Sequence, residues 1–345
     1  MRTLLALALA ALLAGCAPAA APSPSATPTA GGTVSGTAEP APPARIGLSY
    51  IPNVQFAPFY VAEEDGLFAA GTGTAATLRH HGAQEGLFTA IAAGQEDLIL
   101  AGGDEMLQAR ESGLDLVSVG TYYRDYPVVV IAREDGPISS LGDLAGKRIG
   151  VPGRFGSSWF GLLVALQTAG LTEDDVEIVE IGYTQQAALT TEKVDAVVGF
   201  ANNDVVQFEL AGVPVRALPI ADGTPPLVGV SLITTRAYLD AHPEVVRGVA
   251  EAMVAGINTI AADPTGDRAL AATARQVPGL SGESLEASRQ TLAATVPIMT
   301  GGQSRADGAI DTATWQAMGQ FMADSGLLTA VPDTAAAVAP EVLQP

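Results

Sequence analysis

Residues 127–132 read PVVVIA, and a second apolar run, LVGVSLIT, follows at 227–234. Continuous runs of this kind, rich in β-branched residues, predict strands buried on both faces, of the sort that fills the middle of a parallel sheet. Before the first run, 45–50 (RIGLSY), 75–81, 97–101 and 116–121 read as strands, with helices over 58–68, 84–93 and 105–111 between them. After it, 148–151, 176–181, 196–200 and 215–217 read as strands, separated by a helical turn at 140–145 and helices at 157–169, 185–190 and 205–211. β and α units alternating at this spacing predict mostly parallel sheets with helices on both faces. Beyond the second run the chain turns helical. Val245, Val249, Met253, Ile257 and Ile260 share one face of a helix over 243–262, as do Trp315, Met318 and Met322 over 311–325. Two blocks bracketed by two long strands predict two lobes that the chain joins twice, a hinge around a cleft; one large sheet is the alternative. The expected fold class is therefore α/β, two doubly wound lobes joined by a two-strand hinge. Its boundaries are 45–131 with 228–330 for lobe 1 and 132–227 for lobe 2, followed by a C-terminal tail at 331–345.

A chain of 345 residues is long enough for two such cores. Its formal net charge of −20, with no basic stripe, argues against nucleic acid, which needs clustered Lys and Arg. The first residues, MRTLLALALAALLAGC, carry one Arg and an apolar run from Leu4 to Ala14, too short for a membrane span of about 20 residues but suited to a signal peptide. The ending Leu13-Ala14-Gly15-Cys16 resembles a bacterial lipobox, so residues 1–16 are expected to be a lipoprotein signal and Cys16 the site of lipidation. An ordinary secretory signal with an incidental cysteine is the plainer alternative. Residues 17–44 hold seven prolines and no Lys or Arg, the composition of a disordered tether. Cys16 is the only cysteine, which excludes intramolecular disulfides. The layout predicts an extracytoplasmic body held to the bacterial cell membrane by a lipid anchor.

Ligands of open α/β sheets sit at the carboxyl ends of strands. After the first strand comes IPNVQFAPFYVA, residues 51–62, with two prolines and three rings in a dozen positions. Asn53 and the neighbouring Gln55 offer donors and acceptors for the edge of a heteroaromatic ring, and Phe56 and Tyr60 are candidates to stack on its face. The same residues also read as an Asx turn and a hydrophobic staple. Asp104, in GGDE at 102–105, is a candidate ligand contact or a helix cap; the resemblance of that tetrapeptide to a cyclic-dinucleotide synthase signature is rejected, because it follows a βα pattern behind a secretion signal. Ser157, beside Ser158, stands at a glycine-flanked helix start that attracts acceptors or anions, and Trp159 either covers a ring or joins the core. Tyr183, next to Thr184, and Asn202, next to Asn203, end strands of the second block. Tyr122, with Tyr123 and Tyr126, lies where one lobe hands over to the other. Fifteen of the 18 aromatic residues fall between Tyr50 and Phe208, a bias that suits an aromatic-lined cleft. His80-His81 does not suggest a metal site, since adjacent strand residues face opposite ways. No G-x-S-x-G elbow occurs, and nothing in the sequence suggests a catalytic residue or a cofactor.

SYIPNVQFAPFYVAEEDGLF, LGDLAGKRIGVPG, KVDAVVGFANND and IDTATWQAMGQFMADSGLL resemble the SsuA/ThiY-like substrate-binding proteins of ABC importers, over about residues 45–328. The resemblance implies the type II periplasmic binding protein fold. It also implies a monomer that captures a small heteroaromatic vitamin or vitamin precursor and delivers it to a permease driven by an ATPase. Two branches compete. The thiamine-pyrimidine binders carry a His where Phe56 stands, whereas Pro52–Ala62, Pro152–Gly156 and Ile181–Gln185 are similar to the riboflavin-binding branch. Other relatives of the group take sulfonates or aromatic acids, and yeast pyrimidine synthases share the fold but depend on an active-site His and a cysteine-rich motif that this chain lacks.

Overall fold

The computed structural model describes residues 43–73, 75–82 and 85–344. The expected signal peptide, Cys16 and the 17–44 tether, apart from its last two residues, lie outside the described residues. The first block runs β1 (Arg45–Leu48), α1 (Ala57–Glu64), α2 (Leu67–Thr72), β2 (Thr77–His80), α3 (Thr89–Ala92), β3 (Leu98–Gly102), α4 (Gly103–Glu111) and β4 (Leu116–Thr121). The second runs β5 (Val128–Arg133), β6 (Arg148–Val151), α5 (Gly156–Thr168), β7 (Glu177–Glu180), α6 (Gln185–Thr190), β8 (Ala196–Phe200), α7 (Val206–Leu210) and β9 (Val215–Pro219). The chain then returns through β10 (Val230–Thr235) to α8 (Arg236–Ala241), α9 (Pro243–Ala261), α10 (Asp267–Gln276), α11 (Gly282–Thr300) and α12 (Thr312–Asp324).

Two five-stranded sheets result, ordered β2-β1-β3-β10-β4 and β7-β6-β8-β5-β9. This is the expected two-lobed α/β architecture. Within it the two apolar runs do something other than predicted. β5 is antiparallel to both β8 and β9, and β10 is antiparallel to both β3 and β4. Their uniform apolarity reflects burial on two faces, which a central antiparallel strand shares with a parallel one. The strand that each run forms, β5 or β10, also lies wholly within one sheet. The crossings between sheets are 122–127 and 220–229, so the expected lobe boundary at 131/132 falls inside β5.

Three smaller corrections follow from local geometry. The helix expected over 58–68 breaks at Gly66, whose φ of 68° no helix accommodates, giving α1 and α2. The helix expected over 84–93 shrinks to α3, four residues long, with Ala83 and Gln84 outside the described residues. The expected tail at 331–345 folds back on the first sheet: Val338 bridges Ser118 of β4 in parallel, and Ala337 and Ala339 are fully buried. That contact covers an otherwise open sheet edge.

The returning helices make the first lobe the thicker one. The apolar stripe of α9 is buried as its spacing predicts, each such side chain contributing about 1.5–3 kcal/mol. α9 approaches α1 closely because Gly256 has no side chain; a Cβ there would stand 2.2 Å from the Pro58 carbonyl oxygen. This contact seats the start of α1, and the turn before it, against the cleft. Among the described residues no helix is long and apolar enough to cross a membrane.

Candidate functional site

The carboxyl ends of β1, β3, β6, β7 and β8 open onto one cavity of about 340 Å³ between the sheets. The first lobe contributes Ser49 and Tyr50 after β1, Gln55 and Phe56 from the turn before α1, and Gly102 and Glu105 around the start of α4. The second contributes Pro152, Ser157 and Ser158 after β6, Tyr183 and Gln185 after β7, and Phe200, Asn203 and Asp204 at the end of β8. Tyr122 and Tyr123 close the cavity at the first crossing. A larger hollow of about 630 Å³ lies among the crossing segments themselves, beside Arg124, Asp125 and Trp315. Only β4 and β9, the strands that lead into the crossings, end there, at Thr121 and Pro219, whereas five strand ends meet at the smaller cavity, which is the candidate site.

Its walls are aromatic. Tyr122 and Tyr123 stack with ring centres 5.2 Å apart and planes 17° from parallel, and the Tyr122 hydroxyl donates to the Gln55 carbonyl at 2.6 Å. Phe56 meets the edge of His80 at 5.4 Å, which fixes the ring from behind. Tyr50 and Tyr183, from opposite lobes, are 45% and 72% exposed. Large exposed rings at a cleft mouth are available to cover a flat ligand.

Of the nine side chains expected to bind ligand, Phe56, Tyr122, Ser157 and Tyr183 line the cavity. The other five stand behind it, each for an identifiable reason. Asn53 makes the Asx turn, accepting from the Gln55 N–H at 2.8 Å and donating to the Ile51 carbonyl at 3.1 Å. Tyr60 is buried on the far side of α1, its hydroxyl 2.9 Å from His80 Nε2. Trp159 joins the core of the second lobe with the Arg154 guanidinium 4.8 Å over its ring.

Asp104 and Asn202 are fully buried and tie parts of the molecule together. The Asp104 carboxylate accepts from the Tyr126 hydroxyl at 2.7 Å, the Ser157 hydroxyl at 3.0 Å and the Glu105 N–H at 2.7 Å. It thus joins the first lobe, the first crossing and the second lobe. Asn202 sits in a wide π-type turn, 201–205, directly after β8. Its amide donates to Tyr123 at 3.3 Å and to Thr295 of α11 at 3.0 Å, while its Oδ1 has no protein partner.

Two lining carboxyls escaped the sequence reading. In the sequence Glu105 stands only in the rejected GGDE signature, and Asp204 only beside Asn202 and Asn203 at a strand end. Burial, with the neighbouring Asp104 carboxylate, pushes the Glu105 pKa above the carboxylate range. Asp204 is raised to about 6, chiefly by desolvation, although it accepts from the Phe200 N–H at 2.7 Å. Tyr50 and Phe200 also line the cavity, each the last residue of an expected strand; an aromatic residue at a strand's carboxyl end is the sequence signal for such a position.

Two mixed α/β sheets around a cleft fed by strand ends are the fold of the periplasmic binding proteins. The aliphatic sulphonate binding protein SsuA of Escherichia coli superposes with a TM-score of 0.66 at 18% identity, over 88% of this chain and all of the other. The chain belongs to the NMT1/THI5-like family, whose model matches residues 53–266. It is 34% identical over 307 residues to the riboflavin-binding protein RibY of Chloroflexus aurantiacus, covering 86% of each. It is 26% identical over 234 residues to a formylaminopyrimidine-binding protein of Halalkalibacterium halodurans, 63% of this chain and 66% of the other. A 4-amino-5-hydroxymethyl-2-methylpyrimidine phosphate synthase of Uromyces fabae matches at 26% over 221 residues, 61% and 64% of the two chains.

Proposed function

We propose that this protein is the solute receptor of an ABC importer and that its ligand is riboflavin. The observation that carries the reading is the similarity to RibY along 86% of both chains, and the aromatic lining of the interlobe cavity supports it. In this reading the flat ring system lies between Phe56, Tyr122 and Tyr183, and the amides of Gln55, Gln185 and Asn203 meet its polar edge. The cavity falls within the ~300–1,000 Å³ of typical ligand pockets. Closure of the lobes buries the ligand, and the closed body docks on a permease whose ATPase drives import. The ligand leaves unchanged, so the protein is a receptor, not an enzyme. It works as a monomer in which the two lobes, divided within the crossings 122–127 and 220–229, are the moving bodies. Cys16 carries the lipid that holds it outside the membrane, with 17–44 as the tether.

The competing reading is a receptor for a thiamine pyrimidine precursor, favoured by the similarity to the formylaminopyrimidine-binding protein. Phe56 counts against it, because the resemblance implies His at this position in that branch. The test is a thermal-shift and fluorescence panel. Riboflavin is expected to raise the melting temperature and to quench protein fluorescence. A shift with formyl- or hydroxymethyl-aminopyrimidine and none with riboflavin reverses the ligand, and a chemically altered ligand after incubation overturns the receptor reading.

A further inference from the structure

The head of α5 is where an anion would be expected to bind. Its first turn, begun by Gly156, leaves backbone N–H groups without helical partners and presents two serines to the cavity, and no side chain caps it. In this molecule that place is already taken by the protein's own carboxyls. Ser157 spends its hydroxyl on Asp104, at 3.0 and 3.3 Å from the two carboxylate oxygens. Glu105 Oε1 stands 3.3 Å from where a Cβ of Gly156 would be. Asp204 adds a third carboxyl from the second lobe. The described residues that line the cavity include no Lys or Arg. The nearby Arg154 is committed elsewhere, to Glu173 and to the face of Trp159.

We propose that the cleft selects uncharged or cationic ligands rich in hydrogen-bond donors and refuses phosphate esters and sulfonates, because Asp104, Glu105 and Asp204 occupy the ground an anion would need. The inference rests on the receptor reading above and narrows its ligand class. Near neutral pH an incoming anion meets the charged carboxylates of Asp104 and Asp204, with Glu105 held protonated by burial, and surrenders its hydration without a cation in return. A neutral polyol or amine instead finds acceptors in the same groups. The cleft would thus separate a vitamin from its own phosphate ester, two molecules with the same flat ring.

The experiment titrates the full-length chain with two matched pairs: riboflavin and riboflavin 5′-phosphate, and 4-amino-5-hydroxymethyl-2-methylpyrimidine and its phosphate. The neutral member is expected to bind roughly 100-fold more tightly than its ester at low ionic strength. Added salt should narrow that ratio, and so should Asp204→Asn, which removes a charge; the salt series needs no variant to fold. Equal binding within a pair, to about threefold, or a ratio indifferent to both salt and Asp204→Asn, overturns the inference while leaving the receptor reading intact. Discrimination in the pyrimidine pair with no riboflavin binding overturns the riboflavin reading and upholds the inference. No binding by any of the four overturns both.

Discussion

The two lobes open with nearly the same words and fill the space beneath them differently. ARIGLS at 44–49 starts β1, and KRIGVP at 147–152 starts β6. In each, the Arg reaches the Asp that precedes the lobe's central strand: Arg45 holds Asp97 at 2.6 and 3.0 Å, and Arg148 holds Asp195 at 2.7 and 3.2 Å. Each Arg also donates to a nearby backbone carbonyl, of Gly94 or of Lys193. Past the central strands, Asp104 and Asn202 occupy matching, fully buried positions and reach out of their own lobes. One frame has been built twice. The difference lies in the layer against the first strand's glycine. Over Gly47 lies Glu96, bonded to Arg79 at 2.7 Å and to His81 at 2.9 Å; over Gly150 lie Val194, Ile181 and Val197. The first lobe has a polar layer where the second has an apolar one.

Adding one methyl group to each glycine should expose that difference most strongly. A Cβ on Gly47 would fall 2.2 Å from Glu96 Oε2, and Glu96 is held in place by two partners. Gly47→Ala must therefore break a buried ionic network, and a loss of about 3–5 kcal/mol is expected. The Cβ of Gly150→Ala would meet the tip of Ile181 at 2.8 Å, a side chain free to turn, and about 1–3 kcal/mol is expected. Urea unfolding of the two variants checks the order; equal losses would mean that the two layers are mechanically alike.

The second prediction concerns charge at the second lobe's mouth. Asp204, mostly buried, has its pKa raised from 3.8 to about 6. A carboxyl with a raised folded-state pKa binds its proton more tightly folded than unfolded, so stability falls as pH rises from about 3.8 to about 6 and then levels. Asp204→Asn abolishes that fall. Relative to the unaltered protein, the variant should be nearly neutral at pH 4 and gain up to about 3 kcal/mol at pH 7. Denaturant midpoints at the two pH values measure it, and a gain of the same size at both would show that Asp204 is not desolvated. The first lobe's acids, Asp104 and Glu105, are raised in the same direction, so a residual slope in the variant reports on them.

The sequence carried the frame well and the cleft unevenly. RIGL, LILAG, RIGV and AVVGF are short apolar strands set off by charged and glycine punctuation, and spacing alone placed them in βα order. Strand direction was not legible in PVVVIA or LVGVSLIT, because burial on both faces erases the alternation that marks an antiparallel edge. Phe56, Tyr122, Ser157 and Tyr183 were legible because they follow strands or mark the handover between lobes. Tyr60 and Trp159 do not line the cavity, for a physical reason: one turn of helix separates a residue facing the cleft from one facing the core, and residue type does not distinguish them. Asn53 and Asp104 were visible as polar residues at turns, but whether such a group serves the backbone, the other lobe or a ligand depends on partners far away in sequence. Tyr126 and Ser157, which engage Asp104, lie 22 and 53 positions along the chain.

The last prediction tries to turn the first lobe into the second. His81 and Ile181 hold matching places, each donating its backbone N–H to the end of its lobe's first strand, Leu48 or Val151, at 2.9 Å. Their partners Glu96 and Val194 match as well. The His81–Glu96 layer is incompletely satisfied, since His81 Nδ1 and Glu96 Oε2 have no protein partner. Such a pair returns little of the desolvation it costs, and replacing both members with hydrophobic groups is often neutral or stabilising. His81→Ile together with Glu96→Val should thus leave stability unchanged or raise it by about 1–2 kcal/mol. Arg79 keeps Glu85, at 2.6 Å, as a partner near the surface. His81→Ile alone should be the worse variant, because it leaves Glu96 buried with one partner fewer. Urea midpoints of the single and double variants form the comparison. If the double variant is the less stable of the two, the polar layer is an asset of the first lobe and the two lobes are not interchangeable at this level.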